Sequence, residues 1–400
     1  MRPSRYHLGA LRARGGDLEG ALALLTGGEG RAALMAAALL RHLGRSGEAA
    51  RVRTVAGVQD PTSSHARFEG VLQGRTDESL WLHLAGEPDR ILGIAVEYAR
   101  FGLFDDALTL LARDYPDGEL VAREPGQPHP DDYPLIHYYR AHYEARMDMD
   151  PRGSLERARG APLRYVFPNR QETGPILESA LAADPGDMSA RFLRGAWAMS
   201  GGQVEAALDD WERVVRIRPG IPALHWMMGR AVLQSTGDLD RAIGLFDAGV
   251  GEDPTNEGLY FALDEALSRR GASAEERAAA LMRHPNPSSM SPDLVYLTAR
   301  VLSRADRFDE AEALFRSRYF VREEGGTNPR EVWLEIRLAR AESLGAGGGC
   351  DLAWDILDGL TEPVEGVLFS TSGLADWLGR RQDLVDRRQE LEETCPPATN

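Results

Sequence analysis

The sequence predicts an all-α fold in which one pair of helices is repeated along the chain. Prolines that close similar turns stand at Pro185, Pro219 and Pro254, which are 34 and 35 residues apart. Apolar residues recur at i, i+3 and i+4 over most of the chain, as on the buried face of a helix, and alternating strand patterns are scarce. A 34-residue period belongs to the tetratricopeptide repeat, a helix–turn–helix unit. We therefore expect a right-handed superhelical solenoid of tetratricopeptide-like helix–turn–helix repeats.

The two regular repeats carry the same residue types at matching positions. Small residues allow the two helices of a pair to approach closely, and a glycine suits the turn between them. A large aromatic residue fills the space between helices, and the proline ends the second helix. These residues are Gly195, Gly202, Ala207 and Trp211 in the first repeat, and Gly229, Gly237, Ala242 and Phe246 in the second.

Weaker versions of the pattern predict further helix pairs before and after the regular repeats. They cover residues 6–25, 32–52, 91–116, 294–315 and 332–357. Stretches rich in proline and glycine at 116–134, 160–175, 284–292 and 322–330 predict loops. One helix pair cannot bury its apolar stripe alone, so neighbouring pairs have to stack.

These signals divide the chain into successive segments of one solenoid. The expected segments are degenerate helix pairs at 1–87, tetratricopeptide-like pairs with the Pro-rich loop at 88–160, regular repeats at 161–290, C-terminal pairs at 291–394 and a disordered tail at 395–400.

Composition excludes several classes of function. The 400 residues carry a formal net charge of −16, which disfavours binding to nucleic acid or to an anionic membrane. The sequence contains no lysine, so neither a phosphate-loop lysine nor a Schiff-base lysine exists. Two cysteines form no disulfide framework or zinc motif, and neither a signal peptide nor a membrane helix is evident. We expect a cytoplasmic protein of bacterial type.

No catalytic or cofactor motif stands out. The nine histidines include no pair at i, i+4 and no HExxH motif, so no metal site is expected. The glycine-rich stretch at 345–351 follows a predicted helix and lacks the third glycine of a dinucleotide-binding loop, so it predicts a turn between helices. We expect no cofactor and no enzymatic activity.

The irregular segments before the regular repeats carry a family resemblance. The stretches YPLIHYYRAHYEAR at 133–146, YVFPNRQET at 165–173 and ALAADPGD at 180–187 resemble the tetratricopeptide-repeat region of large bacterial proteins with an upstream β-sandwich domain of unknown function. The resemblance spans about residues 88–360, and the β-sandwich portion has no counterpart in this sequence. The late loop reads Val-Arg-Glu at 321–323, where an apolar or aromatic run is more usual. The resemblance implies a link to carbohydrate processing.

Two sets of residues are candidates for ligand contact. In a solenoid of this type the first helix of each pair lines the concave groove, and an aromatic residue beside an arginine there is typical of a peptide-binding hot spot. The groove candidates are His137, Phe192, Trp226 and Arg230. The candidates from the irregular segments are Tyr138, Phe167, Arg170 and Glu324.

For every candidate a purely structural role is the competing interpretation. The aromatic side chains at these positions suit a helical core, Arg170 suits the capping of backbone carbonyls, and Trp226 and Arg230 suit packing and a local ion pair. Our first hypothesis is a non-enzymatic scaffold that binds a protein or peptide in its groove. The alternative is the helical, substrate-contacting part of a carbohydrate-processing bacterial protein. A third is a solenoid that only associates with itself.

Overall fold

The fold, taken from a computed structural model, is all-α in the part of the chain that the structure describes. That part comprises residues 4–118, 121, 127–217, 221, 223–320, 326–371 and 381–396. It contains 22 α-helices, three short 3-10 turns and no strand, apart from a single bridge between Arg316 and Val367. The prediction of an all-α repeat fold is confirmed.

The chain divides into two compact units, at residues 1–221 and 222–400. The helices of the first unit are α1 Arg5–Arg14, α2 Leu18–Leu25, α3 Arg31–His42, α4 Ser46–Gln59, α5 Ser64–Leu72, α6 Glu78–Ala85, α7 Pro88–Arg100, α8 Phe104–Leu111, α9 Pro134–Arg146, α10 Arg152–Gly160, α11 Thr173–Ala183, α12 Met188–Ser200 and α13 Val204–Ile217.

The helices of the second unit are α14 Leu224–Ser235, α15 Leu239–Glu252, α16 Glu257–Arg270, α17 Ala274–Leu281, α18 Pro292–Arg304, α19 Phe308–Ala313, α20 Pro329–Ala346, α21 Cys350–Asp358 and α22 Gln382–Thr394. In both units most helices pack on their successors, and first helices of neighbouring pairs also touch, as in α9 with α11 and α16 with α18. This is the packing of stacked helix–turn–helix repeats. The predicted segment limits near residues 87, 160 and 290 stay predictions.

The close approach of paired helices depends on the predicted combination of glycine and aromatic residue. A Cβ atom added to Gly195 on α12 would lie 2.5 Å from Nε1 of Trp211 on α13. The Trp211 ring is fully buried, and its Nε1 donates a hydrogen bond to the carbonyl of Phe192, with an N–O distance of 3.1 Å. Phe246 on α15 is likewise fully buried and lies over Gly229 on α14. Each aromatic ring thus fills the space between the two helices of its own pair.

The turns inside these pairs also follow the prediction. Gly202 and Gly237 lie between the paired helices with φ of +74° and +69°, a left-handed conformation that favours glycine. Pro219, the proline predicted to end the second helix of the first repeat, lies outside the described residues. Asp187 and Asp238 cap the N-termini of α12 and α15 by accepting hydrogen bonds from backbone N–H groups. Residue choice at the ends of the helices therefore fixes where α12 and α15 begin.

The C-terminal region corrects two expectations. Cys350, at the start of α21, forms a disulfide with Cys395, just after α22. Cys395 is fully buried, and its carbonyl accepts a hydrogen bond from Nε1 of Trp354 at 2.7 Å. The chain at residue 395 therefore belongs to the packed structure and not to a disordered tail. The spacing of 45 residues between the two cysteines gave no sign of the pairing.

Candidate functional site

A row of charged residues runs along the first helices of the pairs in the second unit. Arg230, Glu265, Arg300 and Glu335 lie on α14, α16, α18 and α20 and are each 35 residues apart. Each of these helices contacts the next one in the series. Because equivalent positions of stacked repeats lie side by side, the four residues form one surface row of alternating charge. We call these four residues the charge row.

The two ion pairs in the charge row differ in tightness. Arg230 Nη1 lies 3.5 Å from Glu265 Oε2, and both side chains are about half exposed, at 49% and 52%. Arg300 Nε lies 2.7 Å from Glu335 Oε2, with side-chain exposures of 35% and 21%. An exposed pair of the first kind contributes about 0–1 kcal/mol to stability. Arg230 can therefore leave Glu265 for a ligand carboxylate at small cost.

Trp226 lies beside the looser end of the charge row. It is 38% exposed, and the guanidinium carbon of Arg230 is 5.9 Å from the centroid of its ring. The opposite side of α14 faces the core, where Met228 is buried and Gly229 lies under the Phe246 ring. Helical geometry places Trp226 and Arg230 on one exposed face, since they are four residues apart. The face offers an apolar ring next to a cation, a combination that suits peptide side chains and carboxylates.

The structure buries His137, which was predicted to line a groove. Its side chain is within α9 and the residue is 4% exposed. Nε2 donates to the carbonyl of Asp131 at 2.6 Å, and Nδ1 is buried without a partner among the described residues. Burial lowers the pKa of His137, so the ring stays neutral near pH 7. The structure thus supports the structural interpretation of His137.

Tyr138 is also part of the core and not of an exposed face. It is 1% exposed, and its hydroxyl donates to the two carboxylate oxygens of Asp187, each at 3.0 Å. Asp187 in turn caps α12 by accepting from the backbone N–H of Ala190 at 2.9 Å. Burial raises the pKa of Asp187, whereas its hydrogen bonds act in the opposite direction. Tyr138 therefore ties α9 to the start of α12, and no described surface presents it to a sugar or peptide.

Two other candidates, Arg170 and Phe167, lie on the loop between α10 and α11 and have different surroundings. Arg170 donates from Nη2 to the carbonyl of Asp89 at 2.7 Å, and its guanidinium packs over Gly93. It therefore caps a backbone carbonyl, which is the structural role that the sequence allowed. Phe167 is 62% exposed on the same loop. Arg170 is therefore engaged with the backbone, whereas Phe167 is an exposed side chain.

The remaining candidates do not join a site. Phe192 is 5% exposed inside α12, which corrects the expectation that it faces a groove. Glu324 lies outside the described residues. Of the eight predicted residues, only Trp226 and Arg230 are shown together on an exposed face. Their partner Glu265 was not predicted, although a search at the 35-residue spacing would have found the whole charge row.

A buried charge network in the first unit was also missed. Arg41 on α3 contacts Glu69 on α5 at 3.0 Å and Asp106 on α8 at 2.8 Å, with Glu69 fully buried. Tyr98 donates to Glu69 at 2.8 Å, and His42 Nε2 lies 2.8 Å from Asp106. All of these groups are hydrogen-bonded or ion-paired within the network. We therefore interpret the network as structural; sequence periodicity carries no signal for it.

The described residues hold no group of three or more His, Cys, Asp and Glu side chains that could bind a metal ion. Within the same residues, no helix is both long and apolar enough to cross a membrane.

Comparison with known proteins gives matches in structure only. No protein-family model matches the chain, and no curated protein matches it either. Among solved structures, the chain is similar to a tetratricopeptide-repeat protein from Parabacteroides merdae, with 13% identity, 78% of this chain and 99% of that chain covered, and a TM-score of 0.29.

Two further solved structures are similar at the same level. The C-terminal part of a tetratricopeptide-repeat protein from Cytophaga hutchinsonii has 11% identity, with 73% and 97% covered and a TM-score of 0.36. Yeast Tom70 has 13% identity, with 98% and 88% covered and a TM-score of 0.28. At such identities and scores, these similarities say nothing about what the present chain binds.

Proposed function

We propose that the chain is a non-enzymatic scaffold that binds a protein or peptide partner through the exposed face of α14 and α16. The observation that carries the proposal is the exposed ring of Trp226 beside Arg230, which forms a loose ion pair with Glu265. Large aromatic and arginine side chains supply most of the binding energy at protein interfaces.

The partner segment should combine an apolar side chain with a carboxylate. The apolar group would cover the Trp226 ring, and the carboxylate would accept hydrogen bonds from the Arg230 guanidinium in place of Glu265. Covering the ring removes apolar surface from water, which is favourable by about 25 cal/mol for each Å². The ion pair with Glu265 opens at small cost because both side chains are already hydrated.

The described residues that were named for the carbohydrate-processing alternative do not come together in a site. Tyr138 is buried, Arg170 is engaged with a backbone carbonyl, and Glu324 lies outside the described residues. Phe167 alone remains exposed from that set. We therefore pursue the scaffold.

The test is affinity enrichment from native lysate followed by direct titration of each enriched protein. The double variant Trp226→Ala/Arg230→Glu is compared with the wild type. The matched control is Leu352→Ala/Arg283→Glu, which also removes one exposed apolar side chain and one arginine of an exposed ion pair, that with Asp247 at 2.5 Å. All three must show the same helical circular dichroism and melting temperature.

The scaffold proposal expects a purified partner to bind the wild type and the control alike and the double variant at least tenfold more weakly. A loss of about 2 kcal/mol at a hot spot corresponds to roughly 30-fold. Equal binding by the double variant would contradict the assignment of the site. Hydrolysis or binding of oligosaccharides by the wild type would instead revive the alternative.

A further inference from the structure

An arginine-lined pocket lies in the first unit, away from the face described above. It has a volume of about 300 Å³ and lies between α4, α5 and the turn before α6. Its charged lining residues are Arg53, Arg67, Arg75, Asp60 and Asp77. Three positive and two negative side chains give 3 − 2 = +1, in a chain whose formal net charge is −16. The pocket is therefore a local reversal of the overall charge.

Two of the three arginines form no direct ion pair with a carboxylate among the described residues. Arg67 forms a bidentate pair with Asp77, with N–O distances of 2.8 and 2.6 Å. Among the described residues, no carboxylate lies within ion-pair distance of Arg53 or Arg75. Burial, and then the positive charge of Arg75, lower the pKa of Arg53. The two like charges would be stabilised by an anion placed between them.

Hydrogen bonds to neighbouring side chains fix the orientation of the Arg53 side chain. Its Nε donates to Oε1 of Gln73 at 3.0 Å, and Nε2 of Gln73 donates to Oε1 of Glu69 at 3.0 Å. Glu69 is fully buried and is anchored by Arg41. Nη2 of Arg53 donates to Oγ1 of Thr54 at 3.4 Å, which leaves Nη1 without a hydrogen-bond partner among the described residues. The position of the guanidinium group is thus set by Gln73, which is linked to the buried network, and by Thr54.

A glycine, Gly70, lies against the side chains of both Arg53 and Arg75 in the wall of the pocket. A Cβ atom added to Gly70 would lie 3.5 Å from Cδ of Arg75 and 3.6 Å from Nη1 of Arg53. The side chains of Arg53 and Arg75 thus both pack at ordinary contact distance over Gly70, which has no side chain to separate them. Ser63, which caps α5 by accepting from the N–H of Ala66 at 3.3 Å, also lines the pocket and adds a hydroxyl donor.

We propose that this pocket binds a phosphate-type oxyanion between the guanidinium groups of Arg53 and Arg75. A tetrahedral oxyanion presents enough oxygen atoms for two guanidinium groups and a hydroxyl, whereas a carboxylate has only two oxygens. The remaining acid, Asp60, already accepts two hydrogen bonds from Thr62, at 3.1 and 2.7 Å. The ligand is either free phosphate or the phosphate group of a small phosphorylated molecule.

The experiment titrates the full chain with inorganic phosphate at constant ionic strength, using calorimetry. Parallel titrations use a phosphate monoester, phenyl phosphate, and sodium acetate. The variants are Arg53→Gln and Arg75→Gln, and the control is Arg51→Gln, an exposed arginine on α4 that does not line the pocket. Arg75 is exposed, so its replacement leaves the core intact.

The expected result is saturable phosphate binding that weakens at least tenfold in Arg53→Gln and Arg75→Gln and is unchanged in Arg51→Gln. Tighter binding of phenyl phosphate identifies a phosphorylated molecule as the ligand, and preference for inorganic phosphate identifies the free anion. The proposal is overturned by an absence of saturable binding up to about 10 mM. It is equally overturned by equal binding of acetate, or by an equal loss in the Arg51→Gln control.

Discussion

Removal of Arg41 is the sharpest perturbation of the first unit. Its side chain is 17% exposed and pairs with Glu69 and Asp106, whose side chains are 0% and 7% exposed. These three residues lie on α3, α5 and α8, so one guanidinium joins three helices of successive pairs. Arg41→Met keeps a long apolar stem but leaves two buried carboxylates without their cation.

The magnitude follows from burial. Removing one partner of a buried ion pair costs about 3–5 kcal/mol, because the remaining charge is left unpaired in a poorly solvated place. Such a loss corresponds to roughly 150- to 4,000-fold in an opening equilibrium. Tyr98 and His42 still contact the two carboxylates, which places the expected loss at the lower end of this range.

The pH dependence has a definite sign. Burial alone would raise the pKa of Asp106, but hydrogen bonds from His42 and Arg41 lower it below its ordinary value. A lowered folded-state pKa contributes stability above the unfolded pKa, and this stability is lost as the pH falls through the folded pKa. Without Arg41 the folded Asp106 carboxylate binds a proton more readily. The difference between wild type and variant should therefore shrink as the pH is lowered toward about 4.

The assay is hydrogen exchange with mass spectrometry, resolved to peptides from α3, α5 and α8. The control, Arg307→Met, removes an arginine whose partners Glu310 and Glu275 are exposed, at 47% and 66%. That loss should stay below about 1 kcal/mol. A loss of protection in Arg41→Met no larger than in the control, or a difference that grows in acid, would refute the reasoning.

Three further predictions follow from the packing. Gly195→Ala should lower the melting temperature through a cost of about 1–3 kcal/mol, since its Cβ would meet the Trp211 ring, whereas Gly244→Ala, with open space around it, should be neutral or stabilising; equal effects would contradict the packing. Reduction of the Cys350–Cys395 disulfide should increase hydrogen exchange in α22, by about 2–4 kcal/mol of opening free energy; unchanged exchange would contradict a role in docking that helix. Burial lowers the pKa of His65 to about 4, so the free energy of unfolding should fall as the pH drops from about 6.5 toward 4. The variant His65→Gln should flatten this part of the curve of unfolding free energy against pH.

The sequence predicted the repeats because their signals are local. The residue types of one helix pair, such as Gly195, Gly202 and Trp211, meet within about 20 residues of chain, and helical geometry then dictates the contact. The disulfide between Cys350 and Cys395 depends on how α22 folds back onto α20, a long-range contact without periodicity.

The candidate site was predicted only in part, for a similar reason. From the sequence alone, an aromatic residue at a groove position looks the same whether its side chain faces solvent or packs against the neighbouring helix. Trp226 is 38% exposed, whereas Phe192 at a corresponding place is 5% exposed. The difference lies in the packing of the whole repeat and not in the residue type. Charge at the 35-residue spacing was the readable signal for Arg230, Glu265, Arg300 and Glu335.

The most direct test of the scaffold is photo-crosslinking at position 226. A photoreactive phenylalanine analogue is incorporated at Trp226 or, as a control, at Leu352, which is 58% exposed on α21. The lysate is irradiated and crosslinked proteins are identified. We predict one dominant adduct at position 226 that is absent at position 352 and is lost when Arg230→Glu is added. No adduct at position 226, or the same adducts at both positions, would contradict the proposed binding face.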